Sequence, residues 1–256
     1  MLHMDTTWWL TTALIGVILA FCGALQAMIG FAAAMFGIPL LMLCGFEMPE
    51  AQVIVITAML PQNVLAVWQL RKELSWREWI IPALVRIAFL PLGVLVMGWM
   101  QAEAKPLLRQ IVGGVMLAAT AMQWLSKTET QSASKPHWMF GTFSLSGFLQ
   151  GLCGMSGAPM VLWCYARPWS ASKVRAFLFT VYLTSFLPQW LMLAGRFGKI
   201  IPAAGLRTVM ALPLVLLGTF VGLKLAHRIP DQAAKQLSYA VLILLAAIEM
   251  LHPLFS

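Results

Sequence analysis

LQAMIGFAAAMFGIP (25–39) and LQGLCGMSGAP (149–159) lie inside apolar runs that are too long for one membrane crossing. The runs span residues 8–46 and 138–166. As unbroken helices they would extend roughly 58 Å and roughly 43 Å, against a hydrocarbon core of ~30 Å. Each run is therefore expected to break and turn back. The quoted stretches mark the break points, because clustered Gly, Ala and Ser interrupt a helix cheaply and let backbones approach closely. Gln26 aligns with Gln150 at a spacing of 124 residues, and Gly30 with Gly154 at the same spacing.

Six further apolar segments, 51–70, 79–100, 106–125, 176–195, 200–223 and 236–254, each have the length of one ordinary span. The chain is 61% hydrophobic and only 10% charged, whereas a soluble domain carries about 25% charged residues. Ten-residue alternation of apolar and polar positions, the mark of a membrane β-barrel, is absent. The expected class is an all-α integral membrane protein, with the lipid bilayer as its first partner. A net charge of +8 raises the question of nucleic acid. The basic residues are scattered among short loops and form no stripe interleaved with aromatics, which excludes that partner. Cys22, Cys44, Cys153 and Cys164 sit in apolar runs without a CxxC, so neither a disulfide framework nor a metal site is indicated. The segment beginning near Trp8 follows MLHMDTT, which has no basic residue, and reads as a retained helix rather than a signal peptide.

Other pairs recur in the same order. MLPQNVL (59–65) matches FLPQWLM (186–192), IIPALVR (80–86) matches IIPAAGLR (200–207), and Pro91 answers Pro213. The polar stretch 126–137 separates the two series. The expected organisation is a first membrane repeat at 1–125, a cytoplasmic linker at 126–137 and a second repeat at 138–256. If each long run supplies two membrane segments, loops 71–78, 126–137, 167–175 and 224–235 share one side and hold eleven Lys and Arg. Loops 47–50, 101–109 and 196–199 then hold four on the other side. With single crossings the two sides would hold seven and eight, with no bias. The positive-inside rule favours about five segments per half. An odd number makes the repeats inverted, with both termini periplasmic and a broken helix or re-entrant hairpin opening each half. Such repeats are a transporter plan, with the substrate where the halves meet.

An ionisable residue within the membrane marks a functional site by default. Arg86 and Arg207 each lie about seven residues into a segment, roughly 10 Å deep. At that depth a long side chain can also snorkel to the interface. Among nine Asp and Glu, Glu249 alone lies within an apolar segment, with His252 three residues on. The two arginines thus lack obvious counter-ions in the sequence, and a small anionic substrate would supply one. Inverted halves would bring both guanidinium groups towards a shared cavity, where they offer bidentate donors at any working pH. Candidate partners are Gln26, Gly30, Gln150, Gly154, Ser156 and Gly157 at the breaks, where a half-helix N-terminus leaves free N–H groups. Gln62, Asn63 and Gln189, beside helix-kinking prolines, join the substrate-binding set. Their amides serve equally well to satisfy carbonyls freed by those prolines. Trp163 and Trp190 lie deeper than the interfacial tryptophans; packing is the first explanation for them and walling a cavity the second.

No cofactor, metal or catalytic residue is expected. His3, His137, His227 and His252 lie at termini, loops or interfaces, and none stands at readable spacing from a buried nucleophile, which argues against an enzyme. An anion channel or an uptake permease for another small anion is the alternative reading. A membrane-buried homodimer is allowed, though no segment forces it.

With these motifs in view, the chain resembles the sulfite exporter TauE/SafE family of membrane permeases over roughly residues 8–254. That family carries a glycine-rich break in each half, G-x-G-G-G with a following proline, or G-x-G-G-P-P in the second. Here GFAAAMFGIP places Ala32, Ala33 and Ala34 where glycines are usual. GMSGAPMVLW keeps Gly154, Gly157 and Pro159, with Ser156 and Ala158 replacing Gly and Pro. The resemblance implies export of small organosulfur anions, such as sulfite or sulfoacetate, across a bacterial inner membrane. One negative charge leaving an interior-negative cell gains ~2.3 kcal/mol per 100 mV, so efflux needs no coupling ion.

Overall fold

The computed structural model describes residues 6–29, 33–125, 136–226 and 231–255. Ten helices and no strand occur among them: α1 Thr6–Ile29, α2 Ala33–Leu43, α3 Met48–Leu70, α4 Trp76–Glu103, α5 Lys105–Leu125, α6 Pro136–Cys153, α7 Gly157–Tyr165, α8 Ala171–Phe197, α9 Ile200–Ala226 and α10 Asp231–Phe255. Five stretches are long and apolar enough to cross a bilayer: Trp8–Gln26, Met48–Leu70, Trp76–Glu103, Ala171–Phe197 and Ile200–Gly222. The protein is therefore a multi-pass α-helical membrane protein.

Each long apolar run contributes two helices, and the second run breaks where its small residues cluster. The first divides into α1 and α2; Gly30 and its neighbours 31 and 32 lie outside the described residues, as do residues 126–135 of the expected linker. The second divides into α6 and α7. Gly154 there adopts a φ of +71°, a left-handed conformation that glycine reaches without a Cβ clash. α2 and α7 have 11 and 9 residues. At 1.5 Å per residue they rise roughly 17 Å and roughly 14 Å, about half of the hydrocarbon thickness. Prolines 39, 61, 82, 91, 188 and 213 lie within helices that continue past them, as transmembrane helices allow when neighbouring groups satisfy the freed carbonyls.

The chain divides into two compact units, one from residues 1–59 and 197–245, the other from 60–196 and 246–256. Both therefore draw on each half of the sequence. In the first unit α1 packs along α9. Trp8 faces Arg207, Gly16 faces Ala211 and Leu214, Ala20 faces Gly218, and Ala24 faces Gly222. Residue numbers climb together, so the two helices run parallel. A Cβ on Gly218 would stand 2.1 Å from the Ala20 carbonyl oxygen, which only glycine permits.

In the second unit α4 packs along α6 in the same parallel sense, through Gly147, Gly151 and Gly93. A Cβ on Gly147 would meet the Arg86 carbonyl oxygen at 2.1 Å, and one on Gly151 the Leu90 oxygen at 2.2 Å. Gly147-x-x-x-Gly151 is the small-residue spacing that lets membrane helices pack backbone to backbone. Its consequence is positional: it draws Arg86 of α4 beside the break that ends α6.

Candidate functional site

Arg86 is fully buried, at 0% exposure, in the apolar middle of the second unit. Its side chain does not snorkel. Nη1 donates to the Val181 carbonyl at 2.9 Å and to the Ser185 hydroxyl, both on α8. Nη2 donates to Gln150 Oε1 at 2.9 Å and to Ser156 Oγ at 2.8 Å, on either side of the α6–α7 break. The Tyr182 ring lies beneath, with its centroid 5.4 Å from Cζ. Arg86 thus ties the helix break to α8. Every acceptor is a neutral oxygen, and among the described residues no carboxylate pairs with it. Its Nε–H, also buried, has no acceptor there.

A second ring of bonds holds the acceptors. Ser156 donates its hydroxyl proton to Gln150 Oε1, and its carbonyl accepts from Ser146 Oγ at 3.1 Å. Gln150 Nε2 donates to Gln189 Oε1 at 2.6 Å, while Gln189 Nε2 donates to the Gln150 carbonyl at 3.3 Å. That carbonyl also accepts the Gly154 N–H at 3.0 Å, which closes α6. Gly157 opens α7, and a Cβ there would lie 2.8 Å from the Tyr182 hydroxyl, so glycine leaves room for that ring. Of the expected set, Arg86, Gln150, Gly154, Ser156, Gly157 and Gln189 therefore gather in one cluster.

Gln62 and Asn63 belong to the same unit, and each has a buried amide oxygen without a hydrogen-bond partner among the described residues. Gln26 is buried near the end of α1 in the first unit. Arg207 is half-buried in that unit, with Cζ 6.0 Å from the Trp8 ring centroid at the opposite end of α1. The sequence pairs Gly147 with Gly23 at the spacing of 124. In the structure Gly147 meets Arg86, whereas Gly23 meets Thr219, twelve residues beyond Arg207. The two arginines match in sequence but have different surroundings.

Ser185 and Tyr182 were not among the expected residues. The signal for Ser185 was present: it stands four residues before Gln189, one helical turn away on the same face. Ser146 is likewise four residues before Gln150. A separate polar pair, Arg109 and the fully buried Glu249, brings α5 and α10 together with Nη1 and Oε2 3.6 Å apart.

Helix breaks inside membrane-length apolar segments, with a buried cation held by neutral groups, define a polytopic transporter. The chain belongs to the family described as sulfite exporter TauE/SafE, whose sequence model matches residues 14–250. It is also similar to the probable sulfite/organosulfonate exporter TauE of Cupriavidus necator, with 25% identity over 182 residues, covering 70% of this chain and 71% of that protein. No solved structure matches it significantly. The protein is a membrane transporter of this family.

Proposed function

We propose that the chain exports small organosulfur anions, sulfite or an organic sulfonate such as sulfoacetate, by alternating access, and that the Arg86 cluster is where the anion is held. The observation that carries this reading is the Arg86 guanidinium: buried, hydrogen-bonded only to neutral oxygens, and without a carboxylate partner among the described residues. A buried cation is costly unless an anion compensates it. Charge-assisted bonds to sulfonate oxygens are stronger than those to hydroxyl and amide oxygens. An arriving anion therefore displaces Ser156 and Gln150 from Nη2 and engages the free Nε–H as well. Ser156 and Gln150 belong to the helix break, so the exchange loosens α7 from α4, and this is the step coupled to opening.

Direction follows from charge. The Lys/Arg bias of the loops supports a cytoplasmic side for 71–78, 126–137, 167–175 and 224–235 and periplasmic termini, the arrangement expected of two inverted repeats in a cell inner membrane. A monovalent anion leaving that compartment gains ~2.3 kcal/mol per 100 mV, and a divalent one about double. The substrate gradient and the membrane potential drive the cycle.

The test is uptake of labelled sulfite, sulfoacetate, sulfate and acetate into proteoliposomes, with wild type beside Arg86→Gln and Arg86→Lys. A saturable rate for one sulfur anion that falls at least about a hundredfold in Arg86→Gln is the expected result, matching the loss of charge-assisted bonds of ~1.5–3 kcal/mol each. Unitary currents in planar bilayers would show a channel instead. Unchanged transport by Arg86→Gln would remove Arg86 from the site.

A further inference from the structure

The second unit holds another cationic cluster that the Arg86 site does not use. Arg167 lies in the turn between α7 and α8, with Cζ 3.8 Å from the Trp163 ring centroid and 5.2 Å from that of Trp169. Trp163, Trp169 and Phe177 touch one another, with centroids 5.7, 5.4 and 5.3 Å apart, and Phe143 backs Trp163 at 5.0 Å. Lys173 lies beside them, Nζ 5.2 Å from the Trp169 centroid.

The one carboxylate in the cluster is already engaged. Glu78 Oε1 pairs with Lys173 Nζ at 2.7 Å, and Oε2 accepts the Ser75 N–H at 3.1 Å at the start of α4. Glu78 also acts on Arg167 through space, and the two cations against one carboxylate leave the group with a net positive charge. Two N–H donors in the cluster, Trp163 Nε1 and Arg167 Nε, are buried without a hydrogen-bond partner among the described residues, and Trp163 is only 4% exposed. A buried donor without an acceptor is destabilising. Here two of them lie against each other, one belonging to a cation. The missing component is an acceptor that carries negative charge.

We propose that Trp163 and Arg167 form a second oxyanion-binding site, which takes a sulfonate, sulfite or phosphate group through the indole N–H and the guanidinium. The aromatic wall fixes the guanidinium face-on to Trp163 and leaves its edge for the ligand. Ser156 and Trp163 stand at opposite ends of α7, seven residues apart in sequence, or roughly 10 Å along the axis. An anion on Arg167 is thus one short helix from Arg86. Its role as the capture point on the cytoplasmic side rests on the export reading above; the oxyanion site itself does not. The same chemistry fits a free anion or the phosphate of a lipid headgroup.

Calorimetric titration of the full chain in uncharged detergent, with methanesulfonate and with inorganic phosphate, tests the site without requiring transport. Trp163→Phe is the central variant, because it keeps the ring stacked on Arg167 and removes only the N–H donor. In an Arg86→Gln background the remaining binding should weaken at least about tenfold when Trp163→Phe is added. In the otherwise wild-type chain, Trp163→Phe and Arg167→Gln should each lower the bound anion from two per chain to one, which covers the case that Arg86→Gln does not fold. Phospholipid nanodiscs beside a phosphate-free detergent separate the sources. Methanesulfonate binding seen in the detergent and lost in the nanodiscs assigns the site to headgroup phosphate, and binding retained in both assigns it to the free anion. Stoichiometry and affinity unaffected by Trp163→Phe and Arg167→Gln would overturn the proposal. A chain that binds methanesulfonate in this way yet transports no sulfur anion would sink the export reading and leave the second site standing.

Discussion

Gly147→Ala should damage this protein far more than its chemistry suggests. The added Cβ would stand 2.1 Å from the Arg86 carbonyl oxygen, 2.9 Å from its carbon and 3.0 Å from its Cα. These atoms are backbone and cannot rotate away. Restoring van der Waals contact requires α4 and α6 to separate by about 1 Å, and overpacking of that kind costs about 1–3 kcal/mol. The displacement also acts on the site, because Arg86 Nη2 meets Gln150 Oε1 at 2.9 Å and Ser156 Oγ at 2.8 Å. Adding about 1 Å takes both beyond hydrogen-bond range. Each bond from a charged donor is worth about 1.5–3 kcal/mol, partly recovered by rearrangement, so the combined loss is about 2–5 kcal/mol. Apparent unfolding temperature in detergent should fall by about 5–15 °C. Transport should fall with it. Gly141→Ala in the same helix is the control, since a Cβ there meets nothing within 4 Å, and helix propensity alone favours alanine by up to about 1 kcal/mol. If Gly147→Ala unfolds at or above the wild-type temperature, the backbone contact between α4 and α6 is wrong.

Three further outcomes follow from the same geometry. Ser185→Ala removes one neutral acceptor from Arg86 and should lower thermal stability by about 1–2 kcal/mol. It should also lower KM, because the freed N–H is offered to the anion; a tenfold rise in KM would instead make Ser185 part of the anion's own binding shell. Arg207→Gln should alter transport less than about threefold, since the side chain is half-buried beside Trp8 and a partly exposed charge contributes about 1 kcal/mol or less; a collapse equal to that of Arg86→Gln would put Arg207, whose Nε–H is buried without a partner among the described residues, in the substrate path. An inside-negative potential of about 60 mV, set by a potassium gradient with valinomycin, should shift the distribution of a monovalent anion about tenfold outward, read from trapped radiolabel; a voltage-independent distribution would point to electroneutral exchange.

Much of this was legible in the sequence because span length is a hard physical limit. Runs of 39 and 29 apolar residues, 8–46 and 138–166, had to break, and the second breaks at its small residues. The polar residues near the second break were readable too: Arg86, Gln150, Ser156 and Gln189 converge. Ser185 lies one residue before the repeated stretch FLPQWLM (186–192), and its counterpart in ITAMLPQ (56–62) is Ala58, so the repeat carries no signal for it. Arg207 illustrates a different limit of the sequence. Repeated motifs mark positions along a helix, whereas the neighbours of a residue depend on the register between helices, and small residues set that register. α9 packs on α1 through Gly218 and Gly222. At the spacing of Pro91 and Pro213, α4 has Val96 and Met100 in those positions. The α4 contact is instead made at Gly93, where α9 has Val215. Matching arginines on helices with shifted contact points acquire different neighbours.

That difference bears on why a transporter would keep Arg86 among neutral groups. A carboxylate beside it would satisfy the guanidinium bidentately, and a substrate anion would have to break a charged pair to enter. Apolar neighbours would leave five N–H donors unsatisfied, and the side chain could not remain buried. Hydroxyl, amide and carbonyl oxygens fall between these limits: strong enough to hold the empty site together, and without the charge that an oxyanion brings to the guanidinium. The neutral ligands of Arg86 come from three places, the end of α6, the break at Ser156 and the middle of α8. On the export reading, an anion that replaces two of them exchanges the bonds joining the break to α4 for bonds to itself. Release restores the first set. The same few donors then bind the substrate and fasten the helix break, so occupancy of the site and position of α7 cannot vary independently.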